Sequence, residues 1–170
     1  MGGMKAVRAR QHRHCSWKQG DFEITTDPAR IDLALVHKFL TDSYWAKGVP
    51  LETVRRSLSC SLCFGIYQGS SQVGFARAIT DRATFAYLAD VFVLESHRGS
   101  GLSKWLMKCI MSHPDLQGLR RWSLITRDAH GLYQQFGFKP LSRPDRWMEI
   151  HDPGVYSRSK RSGTRSPSSP

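Results

Sequence analysis

Residues 97–107 read HRGSGLSKWLM, a bare, basic turn set directly against an apolar helical stripe. The stretch before it, ATFAYLADVFVL (residues 83–94), is almost wholly apolar and predicts a strand covered on both faces. From Leu102 the positions Leu102, Trp105, Leu106, Cys109 and Ile110 recur at i, i+3, i+4, i+7 and i+8, the spacing of a helix with one buried face. Pro114 bounds that helix. A central strand therefore runs through a turn holding Gly99 and Gly101 into a helix whose first N–H groups lack internal partners. Such a terminus, with its positive dipole end, suits a pyrophosphate. A P-loop is excluded, because four residues do not separate the first glycine from a Gly-Lys-Ser/Thr. A dinucleotide fingerprint is excluded too, since Lys104 stands where its third glycine would fall. Physics alone leaves a phosphate cradle and a plain turn equally open.

Outward from this unit, helix and strand patterns alternate. FEITTD (22–27) predicts a first strand, and IDLALVHKFLTD a helix with Asp32 as N-cap. A short helix is expected near LETVRRSL, then two strands, SLCFGIY and QVGFARAIT, around the turn QGSS. RWSLIT (121–126) predicts a further strand. DAHGLYQQF (128–136) predicts a short helix, with Asp128 as N-cap and Gly137 as its stop. RWMEI (146–150) predicts a closing strand. The sum is an α+β domain, a mixed sheet with helices on both faces.

The chain has 170 residues and a net charge of +11, which first suggests a polyanion partner. That charge is concentrated at the ends. Lys5, Arg8, Arg10, Arg13 and Lys18 lie in residues 1–20 without one acid, and Arg158, Lys160, Arg161 and Arg165 in residues 157–170, again without one. We therefore expect a basic N-terminal arm (1–20), a nearly neutral domain (21–156) and a disordered Ser/Arg-rich tail (157–170). Nucleic acid is expected to meet only the arms, and non-specifically. No window reaches the roughly 18 apolar residues of a membrane span, and the first arm lacks the apolar core of a signal peptide. Reduced thiols suit a cytoplasmic setting. Cys60 and Cys63 form a CxxC, but on one strand they would face opposite ways, so no metal site is expected.

Two motifs carry a resemblance. Arg98-Gly99-Ser100-Gly101-Leu102-Ser103 resembles the Arg/Gln-x-x-Gly-x-Gly/Ala signature of the GNAT superfamily of acetyl-CoA-dependent N-acetyltransferases, with Ser103 in place of the final Gly or Ala. DAHGLYQQFGFK resembles the helix and turn that precede the family's last strands, with Asp128 where many members have Asn. The similarity spans about residues 22–150. It implies a three-layer α/β/α fold whose mostly antiparallel sheet is splayed at its centre.

The resemblance implies acetyl transfer from acetyl-CoA to a primary amine, on a small molecule or a protein, by direct attack in a ternary complex. It assigns the donor to Arg98–Ser103, to Asp128, and to the strand residues Val91 and Val93, with the Val93 N–H as donor to the thioester carbonyl. Tyr133 falls on the family's general-acid tyrosine; the alternative is a core stripe with Ala129, Leu132 and Phe136. Asp90 interrupts an apolar strand, where an isolated buried carboxylate becomes a better base; a structural hydrogen bond is the other reading. Tyr44 and Trp45, in the early loop, are candidates for cation–π contact with the acceptor. A non-catalytic acyl-CoA-binding module and a polyanion-binding protein remain as alternatives, and a homodimer is left open.

Overall fold

The computed structural model describes residues 13–158. Its elements in chain order are β1 (Ser16–Gln19), β2 (Phe22–Thr25), α1 (Leu33–Asp42), α2 (Leu51–Ser59), β3 (Leu62–Gln68), β4 (Ser71–Thr80), β5 (Phe85–Val93), α3 (Leu102–Met111), β6 (Arg121–Ser123), α4 (His130–Gln134) and α5 (Val155–Arg158). The six strands form one sheet in sequence order. All neighbours are antiparallel except β5 and β6, which run parallel. A parallel pair needs a crossover, and α3 supplies it.

Two apolar clusters sandwich the sheet. On one face, Phe64, Ile66, Leu88 and Val93 pack with Leu102, Leu106, Met107 and Ile110 of α3. On the other, Val36 and Leu40 of α1 and Val54 of α2 close over Cys63, Phe75 and Phe92. Hence β3 is buried at every position but its last, and its apolar run shows no alternation. The expected α3 stripe is the buried face of that helix, and Asp32 caps α1 by accepting from the Leu35 N–H at 3.0 Å.

The parallel pair is brief. β6 meets β5 only from Phe85↔Arg121 to Tyr87↔Ser123, so the strand expected over 121–126 ends at Ser123. Beyond that point β5 runs on six residues to Val93, and the two strands part.

A bulge in β5 changes what faces this gap. Arg77 pairs with Ala89 but Phe75 with Phe92, so Ala76 stands opposite two residues, Asp90 and Val91. Asp90 has φ +54°, the left-handed conformation that such a bulge ordinarily gives to glycine. Side-chain alternation flips across it. Leu88 lies in the cluster beneath α3 before the bulge, and Val91 and Val93 face that same cluster after it.

Three expectations are corrected. Ser16–Gln19 pair with β2, so the sheet begins inside the segment read as a basic arm. Its mostly exposed, polar residues gave no apolar signal; the arm's residues 1–12 lie outside the described residues. RWMEI is not a strand: Met148 and Ile150 are fully exposed and no ladder takes up the segment. Its apolar content suggested a strand, but a strand also needs a neighbouring edge. Val155–Arg158 form a short helix, so the structure enters the first two tail residues; 159–170 lie outside the described residues.

Leu106 is wholly buried between α3 and the sheet. We expect Leu106→Ala to cost about 2–5 kcal/mol, measured as a shift in the urea-unfolding midpoint at unchanged slope.

Candidate active site

Where β5 and β6 part, a cleft of about 860 Å³ opens. Its floor is Val91–Val93 of β5 and the following Leu94. One wall comes from α1 and the loop after it, including Phe39, Tyr44 and Trp45; the other from Arg127 to Tyr133. Arg98 and Ser103 line the end nearest α3. Eight of the expected site residues thus meet in one place: Val91, Val93, Arg98, Ser103, Asp128, Tyr133, Tyr44 and Trp45. Residues up to 89 positions apart are brought together only by the crossover and the splay.

The floor presents backbone groups. Leu94 N–H donates to the Val73 carbonyl at 2.8 Å. Successive residues of a strand direct their N–H and C=O to opposite edges, so Val93 directs both away from β4, toward the gap. Its carbonyl there accepts from Arg98 Nε at 3.1 Å. Arg98 is therefore partly a structural brace, tying the turn to the strand end.

The turn is built as its glycines imply, for a different reason than close packing. Gly99 and Gly101 both have φ +81°, which side-chain-bearing residues rarely adopt. A Cβ on either would meet nothing within 4 Å; the conformation, not crowding, demands glycine, and the space beside the turn is open. Gly101 is the N-cap of α3 and supplies no side-chain acceptor. Ser100 Oγ donates to the His97 carbonyl, and the Leu102 side chain is core. What this turn offers an anion is main-chain N–H at the start of α3, with Ser103 beside it.

Tyr133 is 9% exposed and lines the cleft from α4. Burial, then the nearby Tyr44 and Asp128, pushes its phenol from the ordinary value of 10.0 up to about 12. It is thus a protonated hydroxyl at neutral pH, and it makes no hydrogen bond to another described residue. The alternative reading of Tyr133 as core is also partly right: its ring packs edge-on to Phe138 at 5.9 Å.

Two assignments change. Asp128 is not the cap of α4; Ala129 holds that position, and Thr126 Oγ1 accepts its N–H at 3.0 Å. Asp128 instead sits exposed on the rim, 3.8 Å from Arg127 Nη2. Asp90 is not an isolated carboxylate. It is ion-paired to Arg77 Nε, and its Oδ1 accepts from Trp45 Nε1 at 3.1 Å. It lies outside the cleft lining.

Sequence reasoning missed Arg77, Arg127 and Phe39. Arg77 had a signal: a lone cation in QVGFARAIT and a lone anion in LADVFVL, on strands expected to be neighbours, imply a pair. Arg127 lies over the Tyr44 ring at 3.9 Å while its N–H donates to Tyr44 Oη at 3.2 Å. One face of the Tyr44 ring is therefore occupied by the protein's own cation. Phe39 stacks on Phe92 at 3.7 Å, anchoring the wall to the floor. Among the described residues no group of three His, Cys, Asp or Glu could hold a metal, and no helix is long and apolar enough to cross a membrane.

Comparison with known proteins agrees with this geometry. A GNAT acetyltransferase domain model matches residues 59–140. A Gibberella zeae protein whose name describes an acetyltransferase is 33% identical over 141 residues, covering 69% of this chain and 78% of its own. This chain belongs to the GNAT acetyltransferase family. The crystal structure of a Xanthomonas campestris pv. campestris protein assigned to the same family superposes with a TM-score of 0.78 at 54% identity, over 80% of this chain and 96% of that one. A Clostridium acetobutylicum acetyltransferase crystallised with acetyl-CoA shares the fold, with a TM-score of 0.55 at 12% identity over 76% of this chain and 94% of its own. The expected α+β fold with a splayed, mostly antiparallel sheet is the one found.

The raised Tyr133 value has a consequence for stability. Between pH 10 and about 12 the folded acetyltransferase keeps a proton that the unfolded chain has released, so stability falls as pH rises through that window. Tyr133→Phe should make the decline of Tm from pH 10 to 12 shallower. It should not abolish it, since burial likewise holds Tyr67 at about 12.

Proposed function

We propose that this acetyltransferase moves the acetyl group of acetyl-CoA onto a primary amine by direct attack within a ternary complex. The observation that carries the reading is the buried, protonated Tyr133 in the same cleft as an outward-facing strand N–H at Val93. When bound, acetyl-CoA supplies an acetyl group activated as a thioester. The residues present suit it: uncapped N–H groups at Leu102 and Ser103 for the pyrophosphate, and open space beside Gly99 and Gly101. Along the floor, the unpaired edge of β5 offers main-chain partners to an amide-bearing arm.

Amide formation requires the amine nitrogen to bond the acetyl carbon while the carbon–sulfur bond breaks. Val93 N–H is assigned to the carbonyl oxygen, where negative charge grows; one such fixed donor is worth about 10²–10³ in rate. Tyr133 is assigned to the departing sulfur. Its hydroxyl proton goes to the thiolate, and the phenolate is reprotonated from the protons that the amine sheds into the cleft. Tyr44 with Arg127 and Trp45 walls the acceptor end, with the exposed Trp45 ring as the surface open to an amine.

Three measurements test this. Tyr133→Phe keeps the ring and its packing, so acetyl-CoA affinity by calorimetry should change less than about threefold while kcat falls by about 10² or more. A kcat within about threefold of wild type would overturn the acid assignment. Ser103→Asp places a carboxylate in the first turn of α3, where the helix dipole favours it, so the fold should hold. The same charge opposes a phosphate, and acetyl-CoA should bind at least about tenfold more weakly; unchanged affinity would overturn the cradle. Screening pools of primary amines for CoA release would identify the acceptor.

A further inference from the structure

Asp90 ties the Trp45 wall of the cleft to β4 by a chain of polar contacts that the transfer chemistry does not use. Its side chain is 8% exposed and that of its ion-pair partner Arg77 16%. Arg77 also donates from Nη1 to Ser61 Oγ at 3.2 Å, anchoring the pair at the start of β3. With Oδ2 on Arg77 and Oδ1 on the Trp45 indole, each carboxylate oxygen is engaged. The same residue holds φ +54° at the bulge, where aspartate is among the few side chains tolerated.

That bulge decides which way Val93 points. Counting on from the Arg77↔Ala89 pair, an unbulged ladder would set Val73 opposite Val93. In the structure Val73 accepts from Leu94 instead. One extra residue thus turns the Val93 N–H from β4 toward the cleft.

We propose that Asp90 is a positioning residue with two coupled tasks: its backbone sustains the bulge that turns Val93 N–H into the cleft, and its carboxylate, held by Arg77, clamps the indole of Trp45 as the acceptor-side wall. The first task rests on the acetyl-CoA reading above; the second stands on the contacts alone.

Substitutions at position 90 separate the tasks. Asp90→Gly and Asp90→Ala both lose the carboxylate, but only glycine takes a positive φ without strain. The glycine variant should melt at the higher temperature, reversing the usual order of these residues in a strand. It should bind acetyl-CoA within about threefold of wild type, and the alanine variant at least about tenfold more weakly. The clamp is read from the Trp45 indole N–H resonance in 15N-labelled protein, assigned by its disappearance in Trp45→Phe. In wild type it should be protected from solvent exchange. Asp90→Asn, which keeps an oxygen acceptor, should retain it, and Asp90→Gly should shift it and speed its exchange.

Equal melting and equal acetyl-CoA affinity of the alanine and glycine variants would overturn the bulge task. An indole unaltered by Asp90→Gly, or one in wild type that exchanges as fast as an exposed indole, would overturn the clamp; that last measurement needs no variant. If wild type binds no acetyl-CoA, the donor reading fails. The melting order and the indole exchange still decide the two structural claims.

Discussion

The parting of β5 from β6 is the constraint on which the rest of this molecule depends. Parallel strands share a slanted ladder of hydrogen bonds, and here that ladder stops after three residue pairs. Past it, β5 keeps β4 on one edge and presents bare main chain on the other. A protein interior rarely leaves backbone donors and acceptors unmet, so the edge of β5 laid bare beyond β6 is a place for a ligand with amide chemistry. The glycine turn, the start of α3 and the loop before α4 all lie where they do because the two strands diverge.

The bulge makes that edge specific. Inserting one residue reverses which main-chain groups and which side chains face each way. Val91 and Val93 thereby turn their side chains under α3, and Val93 turns its N–H to the gap. The cost is a left-handed residue in a strand that carries a nearly buried charge, and its pairing with Arg77 answers that charge.

Tyr133 shows how one burial both serves packing and fixes a protonation state. Its ring packs against Phe138, while desolvation holds its phenol protonated well beyond neutral pH. A more exposed tyrosine would titrate nearer 10 and pack less firmly. Across the cleft Tyr44 is fixed by Arg127. The wall between loop and strand end is therefore preorganised.

The sequence by itself determined whatever rests on local pattern. The stripe from Leu102 to Ile110 and the glycine punctuation at 99 and 101 are local properties of the chain, and they are what the structure contains. So is the order of the two motifs, which marked the family before any contact was known. Only the tertiary structure decided the rest. β1 is a strand because β2 offers its polar residues an edge, whereas RWMEI, more apolar, is offered none. Asp128 lost its place as cap because Thr126, two residues earlier, reaches the N–H of Ala129. Asp90 could be read as a base or as a structural group until Arg77 and Trp45, 13 and 45 residues away, were found on its two oxygens. Pairing across strands depends on register, and register here turns on one inserted residue, which periodicity within a fully apolar strand does not reveal.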